Sequence, residues 1–243
     1  MEVTVAPVRL VLLPGMDGTG DLFEPLKKAM GPHAAIDVVR YPGRRVLGYD
    51  ELEPLVRAQL PLQEPFVLLG ESFSGPLAIS IAASRPAGLR GLILCCSFAR
   101  RPTPAMAMLR AGLLELAMGL LHSKAMRLPM RHLLLGGNAP AELASQLQDA
   151  LAQVSAAVMI RRMQEVQRVD VLDKLSLVQV PAMYLQALQD RMVPGHAAAL
   201  IRKRLPSLRV IKLDGPHGLL QASSAASARA IQDFCRGLRP VSP

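Results

Sequence analysis

Tryptophan is absent, and three tyrosines and five phenylalanines are all the aromatic residues in 243 positions. A chain so poor in aromatic faces has little on which to stack bases, so its formal charge of +9 does not by itself point to nucleic acid. Arginine far outnumbers lysine, with pairs at Arg44–Arg45, Arg100–Arg101 and Arg161–Arg162. The basic residues are otherwise scattered, which reads as a soluble arginine-rich protein with no nucleic-acid partner. The pairs that follow strand ends leave room for an anionic substrate group. Cysteine is scarce as well. Cys95, Cys96 and Cys235 are odd in number and lack the spacing of metal ligands, which predicts reduced thiols, a cytoplasmic location and no metal. No uncharged apolar run is long enough to span a membrane. The most apolar stretch, "PAMAMLRAGLLELAMGLL", is interrupted by Arg110 and Glu115. The opening "MEVTVAPVRLVLLPG" carries an acid at once and has no basic-then-apolar leader, so no signal peptide is expected. What remains, 51% hydrophobic and 19% charged, is a globular composition.

Short runs rich in Val, Ile and Leu recur at 8–13, 35–40, 66–70, 89–96, 181–188 and 208–213. They are continuously apolar rather than alternating, as strands buried on both faces require. Helical patterns lie between them near 21–31, 51–61, 75–84, 196–204 and 223–237. Strand–helix–strand in repetition predicts an α/β fold with a mostly parallel, doubly wound sheet of about six strands. One interval breaks the rhythm. From "RRPTPAM" onward the chain shows helical segments at 104–122, 124–134 and 140–168 and no strand signal. In the last segment Leu143, Leu147, Leu151, Val154 and Val158 fall on one helical face. The expected division is a core of 1–98 and 170–243 and a helical cap of 99–169, leaving the sheet at the carboxyl ends of its strands, where ligands bind.

"VLLGESFSGPLAI", at 67–79, carries the chemistry. A nucleophile at a strand–turn–helix tip needs small residues two before and two after it, because the helix folds back onto the strand. Centred on Ser72 these are Gly70 and Ser74; centred on Ser74 they are Ser72 and the bulkier Pro76. Ser72 is therefore the expected nucleophile, against the plainer reading of serines that cap a helix. A serine hydroxyl needs a base, and the base needs an orienting acid. Among five histidines only His217, in "LRVIKLDGPHGLLQ", follows a strand directly; His33, His122, His132 and His196 do not. Asp190 stands just past "MYLQAL" and is the expected acid, ahead of Asp149, Asp170 and Asp173 beside helices and Asp214 close to His217 in sequence. Oxyanion donors are expected from the backbone N–H of Phe73 and of Met16, the latter in "LLPGMDGTGDLF". That glycine-rich stretch lacks the ending of a phosphate loop and the spacing of a dinucleotide fold.

These segments, in this order, resemble the α/β-hydrolase superfamily over nearly the whole chain. "LLPGMDGTG" is similar to the His-Gly oxyanion loop with Pro14 in place of His, and "YPGRR" to the Pro-Gly turn after the next strand. "LLGESFSG" resembles the nucleophile elbow with Ser74 for its last Gly, "QDRMVP" the acid loop and "GPHGLLQ" the histidine loop. The resemblance implies acyl transfer to water from an ester, thioester or lactone, with no cofactor. It also implies that the two leading antiparallel strands are absent, because so few residues precede the first strand. The insertion bears on the substrate: its methionines, Met106 and Met118 among them, are expected to line an acyl pocket, unless the helices merely pack on one another. Three functions remain open: a carboxylesterase for short to medium acyl esters, a thioesterase or acyltransferase on an anionic carrier, and a non-catalytic ligand-binding relative. A small-molecule acyl ester or thioester is the expected partner.

Overall fold

The computed structural model describes residues 9–32, 34–102, 124–137 and 139–238. Six strands form one sheet: β1 (Arg9–Leu13), β2 (Ile36–Val38), β3 (Phe66–Glu71), β4 (Leu89–Cys95), β5 (Ala182–Ala187) and β6 (Arg209–Leu213). Each begins and ends within two residues of its sequence-predicted run. The order is β2-β1-β3-β4-β5-β6 and every neighbouring pair is parallel. The four central strands are almost wholly buried, whereas edge strands β2 and β6 are partly exposed.

Alternate side chains of each central strand enter different layers, as the two-residue period demands. Val11, Leu13, Leu68, Leu92, Leu94 and Tyr184 face one layer, closed by α2 (Tyr49–Arg57), α3 (Gly75–Ala83) and α7 (His196–Arg204). Leu10, Leu12, Val67, Leu69, Ile93 and Met183 face the other, closed by α1 (Glu24–Met30), α8 (Leu219–Ala222) and α9 (Ser224–Arg236). Burial on both faces explains the unbroken apolar runs. The predicted helix at 51–61 begins earlier, because the Glu51 carboxylate accepts from the Gly48 N–H at 2.7 Å and caps the first turn.

From β1 the chain turns outward to β2, then crosses back to β3 and runs the other way. The loops after β1 and β3 therefore flank the point where the winding reverses, the crevice in which open parallel sheets bind ligands. Between β4 and β5 lie α4 (Lys124–Leu135), α5 (Ala141–Ala152) and α6 (Ala156–Arg168). The chain leaves and returns side by side at a narrow neck. There Arg100 pairs with Asp170 in an antiparallel bridge, and the Val171 N–H donates to the Ala99 carbonyl at 2.8 Å. The single segment expected at 140–168 is two helices. Ser155 breaks it, its hydroxyl accepting from the Val158 N–H at 3.4 Å to cap α6 while its own N–H donates to Gly43. Leu143 and Leu147 consequently pack with Leu135, and Val154 and Val158 with Met159, with Leu151 touching both clusters. The segment expected at 104–122, with Met106 and Met118, lies outside the described residues. No helix among the described residues is long and apolar enough to cross a membrane.

Candidate active site

β3 ends at Glu71, and the backbone reverses through a 3-10 turn at Ser72–Ser74 into α3. Ser72 has φ 47°, a left-handed conformation that costs a non-glycine residue free energy and persists only where its surroundings enforce it. The crowding that enforces it is visible at two glycines. A Cβ on Gly70 would stand 2.8 Å from both the Ala78 Cβ and the Ser74 carbonyl oxygen, and one on Gly75 would overlap the Ser97 side chain. Ser74 occupies the small position after Ser72 and is fully buried. Its hydroxyl lies 2.6 Å from the Tyr41 hydroxyl and donates to the Pro14 carbonyl.

Ser72 Oγ lies 2.8 Å from His217 Nε2. On the far side of the ring, His217 Nδ1 is 3.0 and 2.8 Å from the two carboxylate oxygens of Asp190. Asp190 Oδ1 also accepts from the N–H groups of Met192 and Val193, each at 2.8 Å, so the carboxylate is oriented before the imidazole meets it. The acid and histidine loops are laced together, Leu188 N–H to Leu213 O at 2.9 Å and Gln189 N–H to Gly215 O at 3.0 Å. The Gly218 N–H donates to the Leu134 carbonyl at 2.7 Å, anchoring the histidine loop to α4. The side chains of His217 and Asp190 are 6% and 4% exposed, so their interaction is shielded from water. Chemically, this chain of contacts can pass the Ser72 proton to the imidazole and stabilise the resulting imidazolium.

The rejected residues stand elsewhere. Asp214 accepts from Gln189 at 2.8 Å, Asp173 is exposed at the start of a 3-10 turn, and Asp170 pairs with Arg100 at 3.1 Å. His196 is exposed at the start of α7, and His132 meets Arg191 at 3.3 Å; His33 and His122 lie outside the described residues. One grouping escaped the sequence reading, which found no metal-ligand spacing. Cys96, Asp190 and His217 bring a thiol, a carboxylate and an imidazole within 4.8 Å of one another, with the thiol buried. The imidazole nitrogens are already engaged by Ser72 and Asp190.

All three tyrosines serve the turn at Ser72, and none was singled out by sequence. Tyr41 bonds Ser74. Tyr49 donates to the Phe73 carbonyl at 2.7 Å and stacks on the Phe73 ring at 4.7 Å. Tyr184 donates to the Ser97 carbonyl at 2.6 Å and accepts from the Ser97 N–H at 2.9 Å, while the Ser97 hydroxyl donates to the Ser72 carbonyl at 2.5 Å. Burial raises the pKa of each phenol, keeping it protonated and able to donate. Glu71, beside Ser72, is also buried, and desolvation pushes its carboxyl up to about 7. It accepts from Gln221 Nε2 at 3.0 Å and from the Gly15 N–H, and so joins the elbow to the loops after β1 and β6. Met16 sits in the loop after β1, its side chain against Val158 and Met159 of α6. Met163 of α6 packs against the same cluster as Met16.

No protein-family model and no curated protein matches the chain. Solved structures do. The chain is similar to the enol-lactonase from Burkholderia xenovorans LB400 at TM-score 0.81 and 15% identity, over 95% of this chain and 92% of that one. An esterase from Exiguobacterium antarcticum superposes at TM-score 0.78 and 15% identity, covering 96% and 93%. MenH from S. aureus gives TM-score 0.78 and 17% identity, covering 97% and 95%. Backbone agreement over nearly complete chains at such low identity, together with the six-stranded parallel sheet, establishes that the protein has the α/β-hydrolase fold.

Proposed function

We propose that the chain is a cofactor-free serine hydrolase, a carboxylesterase that cleaves short- to medium-chain acyl esters through an acyl-enzyme on Ser72. One observation carries this reading: an unbroken contact chain from a left-handed serine at a strand–helix turn, through His217 Nε2 and Nδ1, to Asp190. Ser72 Oγ attacks the acyl carbonyl as its proton passes to His217 Nε2, and Asp190 stabilises the imidazolium. Negative charge gathers on the former carbonyl oxygen, toward which the N–H groups of Met16 and Phe73 are assigned as donors. Collapse breaks the ester bond, and the alcohol leaves with the proton from His217. Water then gives a proton to His217 and adds to the acyl-enzyme, and collapse releases the carboxylic acid and returns the proton to Ser72.

The neighbours named as an enol-lactonase and an esterase fit acyl transfer to water. The thioester alternative drew on the arginine pairs, and Arg161–Arg162 is taken up internally: Arg161 pairs with Glu165 at 3.1 Å, and Arg162 donates to backbone carbonyls. Residues 99–169 are assigned as a cap over a core of 1–98 and 170–243, with Met106 and Met118 proposed for the acyl pocket. A cytoplasmic setting is proposed from the three free cysteines. A panel of acyl esters and acyl-CoA thioesters of graded length, with fluorophosphonate labelling and peptide mapping, tests the whole reading. Ester turnover and label on Ser72, both lost in Ser72→Ala, are expected. Label on Ser74, or an inert wild type, overturns it.

A further inference from the structure

Arg162 is the largest fully buried side chain among the described residues, 1% exposed, and no carboxylate is hydrogen-bonded to it. Its guanidinium instead donates through Nη1 to the carbonyls of Met16 at 2.7 Å and Asp17 at 2.9 Å, and through Nη2 to that of Pro42 at 3.2 Å. It also lies 5.6 Å from the centre of the Tyr41 ring. Burying a guanidinium costs several kcal/mol, and here Nη1 and Nη2 are met while the buried Nε has no partner, a cost that an apolar side chain would not carry. Every one of those acceptors is backbone, and two are consecutive carbonyls of the loop after β1. The loop fits closely around the cation, for a Cβ on Gly18 would approach Arg162 Nη1 to 2.7 Å. Within the same loop the Gly18 N–H donates to the Gly15 carbonyl at 3.1 Å.

We propose that Arg162 is a positioning residue: from helix α6 it fixes the peptide planes on either side of Asp17 and, through them, the preceding peptide, so that the Met16 N–H is aimed at the developing oxyanion. The proposal rests on the hydrolase reading above, and it makes the insertion part of the catalytic apparatus as well as a cover. The carbonyl of Met16 belongs to the peptide that follows it. Pinning this carbonyl and that of Asp17, while the Gly18 N–H donates to the Gly15 carbonyl at 3.1 Å, leaves the intervening peptide little rotational freedom. Docking of α6 does not depend on Arg162 alone. Glu165 accepts from the Tyr49 N–H at 3.2 Å, and Val158 and Met159 pack against Met16.

The test uses Arg162→Met, Arg162→Lys and Arg162→Ala in the full-length protein, with a p-nitrophenyl acyl ester. Loss of one oxyanion donor predicts a fall in kcat of about 10²-fold in Arg162→Met with KM changed by less than about threefold. Arg162→Lys should recover part of that loss. Millimolar guanidinium should raise kcat in Arg162→Ala, where it has a cavity to enter, and not in Arg162→Met. Amide exchange over residues 15–20 should quicken in Arg162→Met. A kcat within about threefold of wild type in the folded variants, or a loss confined to KM, overturns the proposal. If the wild type neither turns over esters nor labels at Ser72, the hydrolase reading itself has failed. Exchange over residues 15–20 then decides separately whether Arg162 holds the loop, and unchanged exchange refutes it.

Discussion

The serine–histidine–aspartate chain and the loop after β1 lie at the same end of the sheet, yet they are held in different ways. Ser72, His217 and Asp190 satisfy one another, and each stands in a loop leaving the carboxyl end of its own strand. The loop around Met16 is partly closed from within, Asp17 Oδ2 accepting from the Thr19 N–H at 2.9 Å and hydroxyl at 2.6 Å, but the donor assigned to it is a backbone N–H with no chemical identity of its own. The rest of its support comes from remote side chains, Arg162 in α6 and Ser74 reaching the Pro14 carbonyl. The comparison teaches that reactive side chains bring their geometry with them, whereas a backbone donor depends on whatever tertiary partners fix its peptide plane.

The largest effects should come from the first region. His217→Ala is expected to lower kcat by several orders of magnitude, and Asp190→Asn by about 10⁴-fold or less, because transition-state donors and substrate binding survive. Steady-state kinetics on folded variants checks this. Near-normal turnover in either one would mean that the contact chain is structural and would erase the contrast with the loop after β1.

Ser74 joins the two regions, so its removal should fall between them. Ser74→Ala strands the buried hydroxyl of Tyr41 and the Pro14 carbonyl, costing about 1–3 kcal/mol of stability. It should also cost about tenfold in kcat as the loop loosens. Tyr41→Phe should lose less, since Ser74 keeps its bond to Pro14, and the double variant should cost less than the sum of the two singles. Additive losses in denaturant unfolding would show that the pair does not act as a unit.

The smallest effect on rate is expected at Glu71, and its signature is in pH. The ordinary carboxyl value is 4.5 and burial raises it to about 7, so the folded protein holds this proton more tightly than the unfolded chain. The stability this adds is fully present below about pH 4.5 and is lost as pH rises to about 7, a change of about 3 kcal/mol. Asp17 nearby favours the neutral form, while His217 and the Gly15 and Gln221 donors favour the anion. Glu71→Gln lacks the titration, so the wild-type advantage over the variant should shrink across that window in thermal unfolding. Parallel stability curves would show that Glu71 is ionised throughout.

The sequence by itself determined the sheet, because burial on both faces demands unbroken apolar runs, and six such runs with helical patterns between them leave few topologies. It also picked out Ser72, His217 and Asp190, three side chains that the fold brings into contact and that are proposed as a triad. A tight turn admits only small neighbours around Ser72, and the loops after β5 and β6 presented one histidine and two acids, Asp190 and Asp214, of which Asp214 stands too close to His217 in sequence. Tertiary structure alone decided the supports. Tyr49, Tyr184 and Ser97 look like ordinary core or surface residues along the chain, and although Tyr41 stood in a quoted turn and Arg162 in an arginine pair, nothing in the spacing of any of them relates it to the support of Ser72 or Met16. The break at Ser155 was hidden for the same reason: the apolar period ran through it, and only the cap on α6 and the contact with Gly43 end the helix there. Local pattern reports what a residue does to its neighbours in sequence. A hydrogen bond between Arg162 and the carbonyl of Met16 exists only once the fold has closed the distance between them.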